Sequence, residues 1–421
     1  MEANEEANEE ACSFLSRFTE EFPAALDQGT ALPLRPVSRR VSEEELQGES
    51  VELGLRLLSD RGAPSALAAL LIHSAVSELL QNDLTALHCP LEDEQPVLLE
   101  SERVQLLFLN ALINSALHWR CSLPALPAVR PRLVSIHAIK NSRRKMEDRH
   151  VALPHFSEMF GLSDGVERSF FAVLDGHGGV DAAAFAAVQL PVVLSRQQNL
   201  QTNPEEALTQ ALTETDLMLQ RKATRERLRG GSTAVAALFQ GQRLLLAWLG
   251  DSQALLVRCG REEEVMEVHK PEREDERQRI EQLGGCVTFM GCWRVNGTYA
   301  VSRALGDFEQ RPYVSSEADV VSLELRGDED YLLLACDGFF DSVRPSSVPG
   351  LVLEALRSPP PSDAPPSEAP PSEAPPSDPQ RAALTVAQTL VSRAKDEGSS
   401  DNITVMLVFL KPPLQILQES I

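Results

Sequence analysis

Residues 232–258 read STAVAALFQGQRLLLAWLGDSQALLVR. Three apolar runs, 232–239, 243–251 and 253–258, are divided by GQ at 241–242 and by GDS at 250–252. Short runs bounded by turn formers predict strands. Joints this tight leave no room for a crossover helix. Both therefore predict hairpins, and the sheet is expected to be antiparallel rather than doubly wound.

Working outward, VSIHAI (134–139), SFFAVLD (169–175), YLLLACD (331–337) and NITVMLVFL (402–410) add strands of the same kind. Helical stretches are expected near 181–190, 204–227, 272–283, 341–356 and 381–396. Strands with helices inserted in groups point to an α+β sandwich. Residues 358–379, a Pro/Ser/acidic low-complexity repeat, interrupt it as an extended surface loop.

The first 130 residues have a different character. The opening ANEE repeat cannot build a core, and the first ~20 residues are expected to be frayed or disordered. SALAALLIHSAVSELLQ (65–81) is rich in helix formers with no internal Gly or Pro. SERVQLLFLNALINSALHW (101–119) opens on a serine that could cap a helix. LPALPAVRPR (123–132) is a proline-punctuated connector. The expected division is an acidic helical region over 1–130, a second domain over 131–413 and a tail over 414–421.

Composition narrows the function. Hydrophobic residues at 43% suffice for a buried core. The net charge of −23 argues against nucleic acid and against anionic membranes as partners. Seven scattered cysteines without zinc-ligand spacing read as reduced thiols of a cytosolic or nuclear protein. With an acidic, non-apolar N-terminus and Glu2 in second place, neither a signal peptide nor N-myristoylation is expected, and no apolar stretch reaches membrane-span length.

The acids repeat in a telling position. An Asp-Gly pair after an apolar run ordinarily marks a turn. Here acids recur at strand edges: Glu147 and Asp148, Asp175, Asp251, Asp337 and Asp341, and Asp401. If these edges converge, the carboxylates repel and raise one another's pKa unless a cation intervenes. All-oxygen ligation selects Mg²⁺ or Mn²⁺ over zinc. A glycine beside the acid, such as Gly176, lets a backbone carbonyl serve as well. Two such ions can share a bridging hydroxide and hold an anionic substrate, which suits phosphate ester hydrolysis. Arg143 or Arg144 could hold phosphate oxygens, and His177 could protonate a leaving alkoxide. A histidine in a glycine-rich turn is more often only a turn residue, and an RRK run more often a solvated face.

Taken together, RKMEDRH, FAVLDGHGG, GGSTAVAAL, LAWLGDSQALL, RVNGTYAVSRALGD, LLLACDGFFD and SSDNITVMLV resemble the successive motifs of the metal-dependent serine/threonine protein phosphatases, the type 2C or PPM family. The resemblance covers about residues 134–411 in the family's order. It implies a four-layer αββα fold: an antiparallel β-sandwich flanked by helices on both faces, here with a helical N-terminal extension. It implies that Asp175 bridges two Mg²⁺ or Mn²⁺ ions, with the Gly176 carbonyl on one. Asp337 and Asp401 would complete one ion and Glu147 would hold the other. Arg143 matches the phosphate-binding arginine and His177 the general acid. Asp251 and Asp341 match acids that hold a weaker third metal, and Trp293–Gly297 falls in a substrate-choosing flap. EVHKP departs from the family by placing Val268 before His-Lys-Pro, at a position that is not a metal ligand.

The acidic helical N-terminus most resembles the branch acting on calmodulin-dependent kinases. That implies those kinases and p21-activated kinases as substrates, with PIX-type exchange factors as partners of the N-terminal region. The competing reading is a catalytically weak scaffold acting through its helices. The acidic surface as a whole suggests phosphosites flanked by Arg or Lys.

Overall fold

The computed structural model describes residues 2–89, 97–127, 132–358 and 378–419. Most of the Pro/Ser repeat and part of the connector at 123–132 lie outside the described residues. Two compact units emerge: Met1–Pro131 with Leu153–Ser169 and Val188–Arg196, and Arg132–Ala152 with Phe170–Ala187 and Gln197–Ile421.

The first unit is built on helices α1 (Glu2–Glu21), α2 (Leu46–Ser59), α3 (Ser65–Gln81) and α4 (Ser101–Trp119). Helix α3 packs against α2 and α4, and α1 against α4. The expectation of a frayed N-terminus is corrected here. The ANEE repeat runs into ACSFLSRFTEEF, whose Ala11, Phe14, Leu15, Phe18 and Phe22 are all buried. Their spacing of three and four residues makes one apolar stripe, and burying that stripe holds the helix. Ser101 does not cap α4 as expected: it is the first helical residue, and Glu100 stands at the cap without a side-chain hydrogen bond.

The sandwich falls in the second unit apart from Leu153, Arg168 and Ser169 at the ends of two strands. Its strands are β1 (Val134–Ile139), β2 (Arg149–Leu153), β3 (Arg168–Leu174), β4 (Ala234–Gln240), β5 (Arg243–Leu249), β6 (Gln253–Arg258), β7 (Arg261–Glu264), β8 (Asp319–Glu324), β9 (Glu329–Ala335) and β10 (Ile403–Phe409). One five-stranded sheet runs β7-β6-β9-β10-β1, the other β8-β5-β4-β3-β2. Between them lies a core to which one sheet gives Phe171, Val235, Phe239 and Leu246, and the other gives Leu256, Leu332, Leu334 and Met406. Alternate residues of β9 and β10, including Tyr331, Leu333, Val405 and Leu407, face the opposite way. They meet Val352, Val386 and Leu390 of two helices, Val348–Arg357 and Asp378–Asp396. This two-residue alternation is what a sheet covered on both faces requires. On the other sheet, helix Pro204–Glu226 packs against β5 and β8. The architecture is the four-layer αββα sandwich with an N-terminal helical extension.

Of the two expected hairpins, one forms. Gln240 pairs with Arg243 across GQ. GDS does not close a hairpin: β5 and β6 belong to different sheets. Gly250, at φ +95°, turns the chain from one layer to the other. Asp251 is thereby delivered to the rim between the sheets. Residues Pro413–Glu419 form a final helix. No helix among the described residues is long and apolar enough to cross a membrane. All seven cysteines are free.

Candidate active site

Three strand ends and one inter-sheet crossing meet at a single cavity of about 950 Å³. Strand β3 ends at Asp175, whose carbonyl accepts from the Thr233 N–H at 2.9 Å. Beyond it, Gly176–His177 pair with Gly231–Ser232, which pair in turn with Leu305–Gly306. Strand β9 runs through Cys336 into the short helix Asp337–Phe340. Asp401 immediately precedes β10. At Gly338 only glycine fits, because a Cβ would strike the Asn402 carbonyl oxygen.

Arg143, Glu147, Asp175, Gly176, His177, Asp251, Asp337 and Asp401 all line this cavity. Asp341 does not line it; it is exposed and lies 3.4 Å from Lys270 Nζ. Among the flap residues, Arg294 reaches the cavity wall, as do Thr298 and Tyr299 just beyond.

The acids are crowded. Burial first, then the charges of Asp337, Asp148 and Asp251, raise the Asp175 carboxyl well above the usual range. Asp337 is raised by burial and by Asp341 and Asp401, although a hydrogen bond with Asp175 pulls it back. Asp251 is pushed up to about 7 by burial and Asp337, with Lys270 opposing. Asp148, beneath the floor, is pushed up to about 6, mainly by burial, against a 2.7 Å hydrogen bond from Thr404 Oγ1.

This donor set fits hard divalent cations. Burial and mutual repulsion favour the protonated carboxyl groups despite Lys270 and Arg143 nearby, and a divalent ion would relieve that repulsion. Ligand atoms of Asp148, Asp175 and Cys336 lie within 4.8 Å of one another. Burial and the three aspartates push the Cys336 thiol far up, however. A thiol ligates as thiolate, so the oxygen donors rather than this sulfur define the site.

Arg143 forms an ion pair with Asp401. The loop before Glu147 is stapled by Asn402. Its Nδ2 donates to the carbonyls of Lys140 and Lys145, each at 2.9 Å, and its Oδ1 accepts from the Glu147 N–H at 2.8 Å. His177 Nε2 lies 2.5 Å from Asp307 Oδ2. Burial lowers the His177 pKa, but the hydrogen bond and charge of Asp307, with Asp251 and Glu147, leave it above its ordinary value. Val268 stays on a loop outside the cavity. Next to it, buried His269 stacks on Trp248 with ring centroids 6.1 Å apart.

Sequence reasoning missed Asp307, Asn402 and Lys270. Asp307 and Asn402 each stood inside a recognised motif, at the end of SRALGD and beside Asp401. Their partners, His177 and the 140–147 loop, are far away in the chain.

An αββα sandwich with a carboxylate floor at its strand ends suits metal-dependent hydrolysis of phosphate esters. Residues 132–403 match the family model "Protein phosphatase 2C". The chain is 49% identical to Protein phosphatase 1F of Homo sapiens over 97% of its own length and 89% of that protein. It is 45% identical to Protein phosphatase 1E of Homo sapiens over 90% of its length, spanning about half (48%) of that larger protein. Among solved structures, "Structure of a C.elegans sex determining protein" superposes with TM-score 0.73 at 23% identity, covering 97% of each chain. A serine-threonine phosphatase 2C from Toxoplasma gondii gives TM-score 0.53 at 21% identity, over 68% of this chain and 97% of that one. The chain belongs to the protein phosphatase 2C family, also called PPM. It is a protein serine/threonine phosphatase.

Proposed function

We propose that the enzyme hydrolyses phosphoserine and phosphothreonine in protein kinases, using two Mg²⁺ or Mn²⁺ ions held by Asp175, the Gly176 carbonyl, Asp337, Asp401 and Glu147. Asp251 and Asp341 would hold a weaker third. The observation that carries this reading is the set of mutually raised carboxyl groups lining one cavity. Bound ions supply charge neutralisation and an activated water.

The chain's own residues do the rest. Arg143 exchanges its Asp401 partner for phosphoryl oxygens, a planar fork meeting two acceptors. His177 delivers a proton to the departing serine or threonine oxygen. Asp307 holds the imidazole in place. Asn402 keeps Arg143 and Glu147 on a fixed loop. Likeness to the kinase-directed branch supports calmodulin-dependent and p21-activated kinases as substrates. It also supports PIX-type exchange factors as partners of residues 1–130, in the cytosol or nucleus.

Phosphate release from phosphorylated calmodulin-dependent kinase, with Mn²⁺ and then with excess chelator, tests the reading. Activity that persists in chelator removes the metal mechanism. Activity on phosphothreonine peptides but not on the kinase removes the substrate assignment alone.

A further inference from the structure

The cavity has two electrostatic layers. Its floor is acidic. Its rim is cationic, with Arg143, Arg144 and Lys145 on the loop before Glu147, Arg229 ahead of Gly231, and Arg294 on the hairpin formed by Val287–Phe289 and Trp293–Val295. Arg143 is paired with Asp401, and Arg229 lies 3.8 Å from Glu309. Arg294 donates to the Thr298 carbonyl at 2.6 Å and, among the described residues, has no carboxylate partner. Arg144 and Lys145 are exposed and, among the described residues, have no carboxylate partner.

One phosphoryl group needs one planar cation, and Arg143 provides it. Arg144, Lys145 and Arg294 exceed that need. An extended peptide advances about 3.3 Å per residue, so side chains two or three positions from the phosphoresidue stand roughly 7–10 Å away. The rim cations of the same cavity are the groups such flanking side chains would meet. The net charge of −23 argues for basic flanks. Charge beyond the Debye length, about 8 Å at physiological salt, is screened. With the floor acids committed to the ions of the proposed function, the rim cations Arg144, Lys145 and Arg294 decide.

We propose that Arg144, Lys145 and Arg294 form a second anion-recognition surface selecting phosphosites that carry another negative group, an Asp, a Glu or a second phosphoresidue, within about three positions. This rests on the phosphatase reading and names its substrate class.

The test uses the full chain with Mn²⁺ and three matched phosphothreonine peptides whose flanks are Glu, Ala or Arg. The ratio of kcat/KM for the Glu peptide to that for the Ala peptide should be about fivefold at low salt and fall toward one at high salt, as for two or three exposed pairs. The Arg peptide should be the poorest. In the double variant R144E/K145E the ratio should invert, and in R294A it should fall partway. p-Nitrophenyl phosphate, which has no flanks, normalises each variant for folded enzyme. A wild-type ratio at or below one, or a ratio unmoved by R144E/K145E, overturns the proposal and leaves the phosphatase reading standing. No Mn²⁺-dependent hydrolysis of any peptide overturns both.

Discussion

His177 Nε2 sits 2.5 Å from Asp307 Oδ2 across 130 residues of sequence. The contact is engineered by backbone. Asp307 takes φ +46° and donates its N–H to the Gly230 carbonyl at 3.0 Å. A Cβ at Gly231 would strike the Asp307 carboxylate, so only glycine lets the two approach. Tyr299 meets the imidazole edge-on, 6.2 Å between centroids. With Nε2 engaged, Nδ1 is the ring nitrogen left for solvent or substrate.

Asp307→Asn keeps the shape and removes the charge. A positioned general acid contributes roughly 10²–10⁴ in rate, so kcat on a phosphothreonine peptide should fall about 10- to 100-fold. p-Nitrophenyl phosphate, whose leaving group needs no proton, should lose less than about threefold. Asp307 also raises the His177 pKa. The basic limb of the kcat–pH profile should therefore move to lower pH in the variant. Equal losses on both substrates with an unmoved profile would show that Asp307 is only structural.

The carboxylate floor makes metal-free stability depend on pH. Asp148 and Asp251 are raised to about 6 and about 7 in the fold. Between about pH 4, their unfolded range, and pH 7, the folded chain holds more protons than the unfolded one, so stability falls as pH rises. Asp251→Asn should raise the metal-free Tm at pH 8, by on the order of 2 kcal/mol in stability, with little effect at pH 4. Mn²⁺ should stabilise wild type more at pH 7.5 than at pH 5.5, because protons compete for the ligands. A thermal-shift series across pH, with and without Mn²⁺, checks both. Parallel wild-type and variant curves would sink the assignment.

Legibility in the sequence follows chain distance. Asp175 and Asp337 could be found because each follows a strand that announces itself by its apolar run, and Asp401 because it precedes one. Asp251 was marked as an acid, but its neighbourhood was misread. A two-residue joint is compatible with a hairpin or with a passage between layers, and only the partner strands decide. Asp307 was hidden because it reaches His177 through strand segments two residues long, Gly176–His177, Gly231–Ser232 and Leu305–Gly306. Such segments have no periodicity to read. Helix α1 was misjudged because its acidic opening turns masked the stripe of Ala11, Phe14, Leu15 and Phe18 behind them.

That stripe can be tested directly. Phe14 and Phe18 stack at 5.5 Å between centroids, and both are buried. Phe14→Ala should destabilise the first unit by roughly 3–5 kcal/mol through lost burial and a cavity. Hydrogen exchange should rise in α1 and in α4, against which α1 packs. Unchanged protection in α4 would mean that α1 adds nothing to that unit's core.

Asn402 offers the sharpest separation of positioning from ligation. It stands beside Asp401 and ties the 140–147 loop with three hydrogen bonds, two donated and one accepted. Asn402→Ala removes all three at about 1 kcal/mol each, leaving the Lys140 and Lys145 carbonyls and the Glu147 N–H without this partner. Asn402→Asp keeps the acceptor for the Glu147 N–H but loses both donors and adds a further charge to an acidic floor. Both variants should raise KM for phosphopeptide by about tenfold or more, because Arg143 lies on the freed loop. Mn²⁺ affinity should fall modestly in Asn402→Ala, as Glu147 loses its anchor, whereas Asp401→Asn should lose far more metal affinity. Isothermal titration with Mn²⁺ beside steady-state kinetics separates the two effects. If Asn402→Ala loses as much metal affinity as Asp401→Asn with KM unchanged, then Asn402 serves the metal floor rather than the loop.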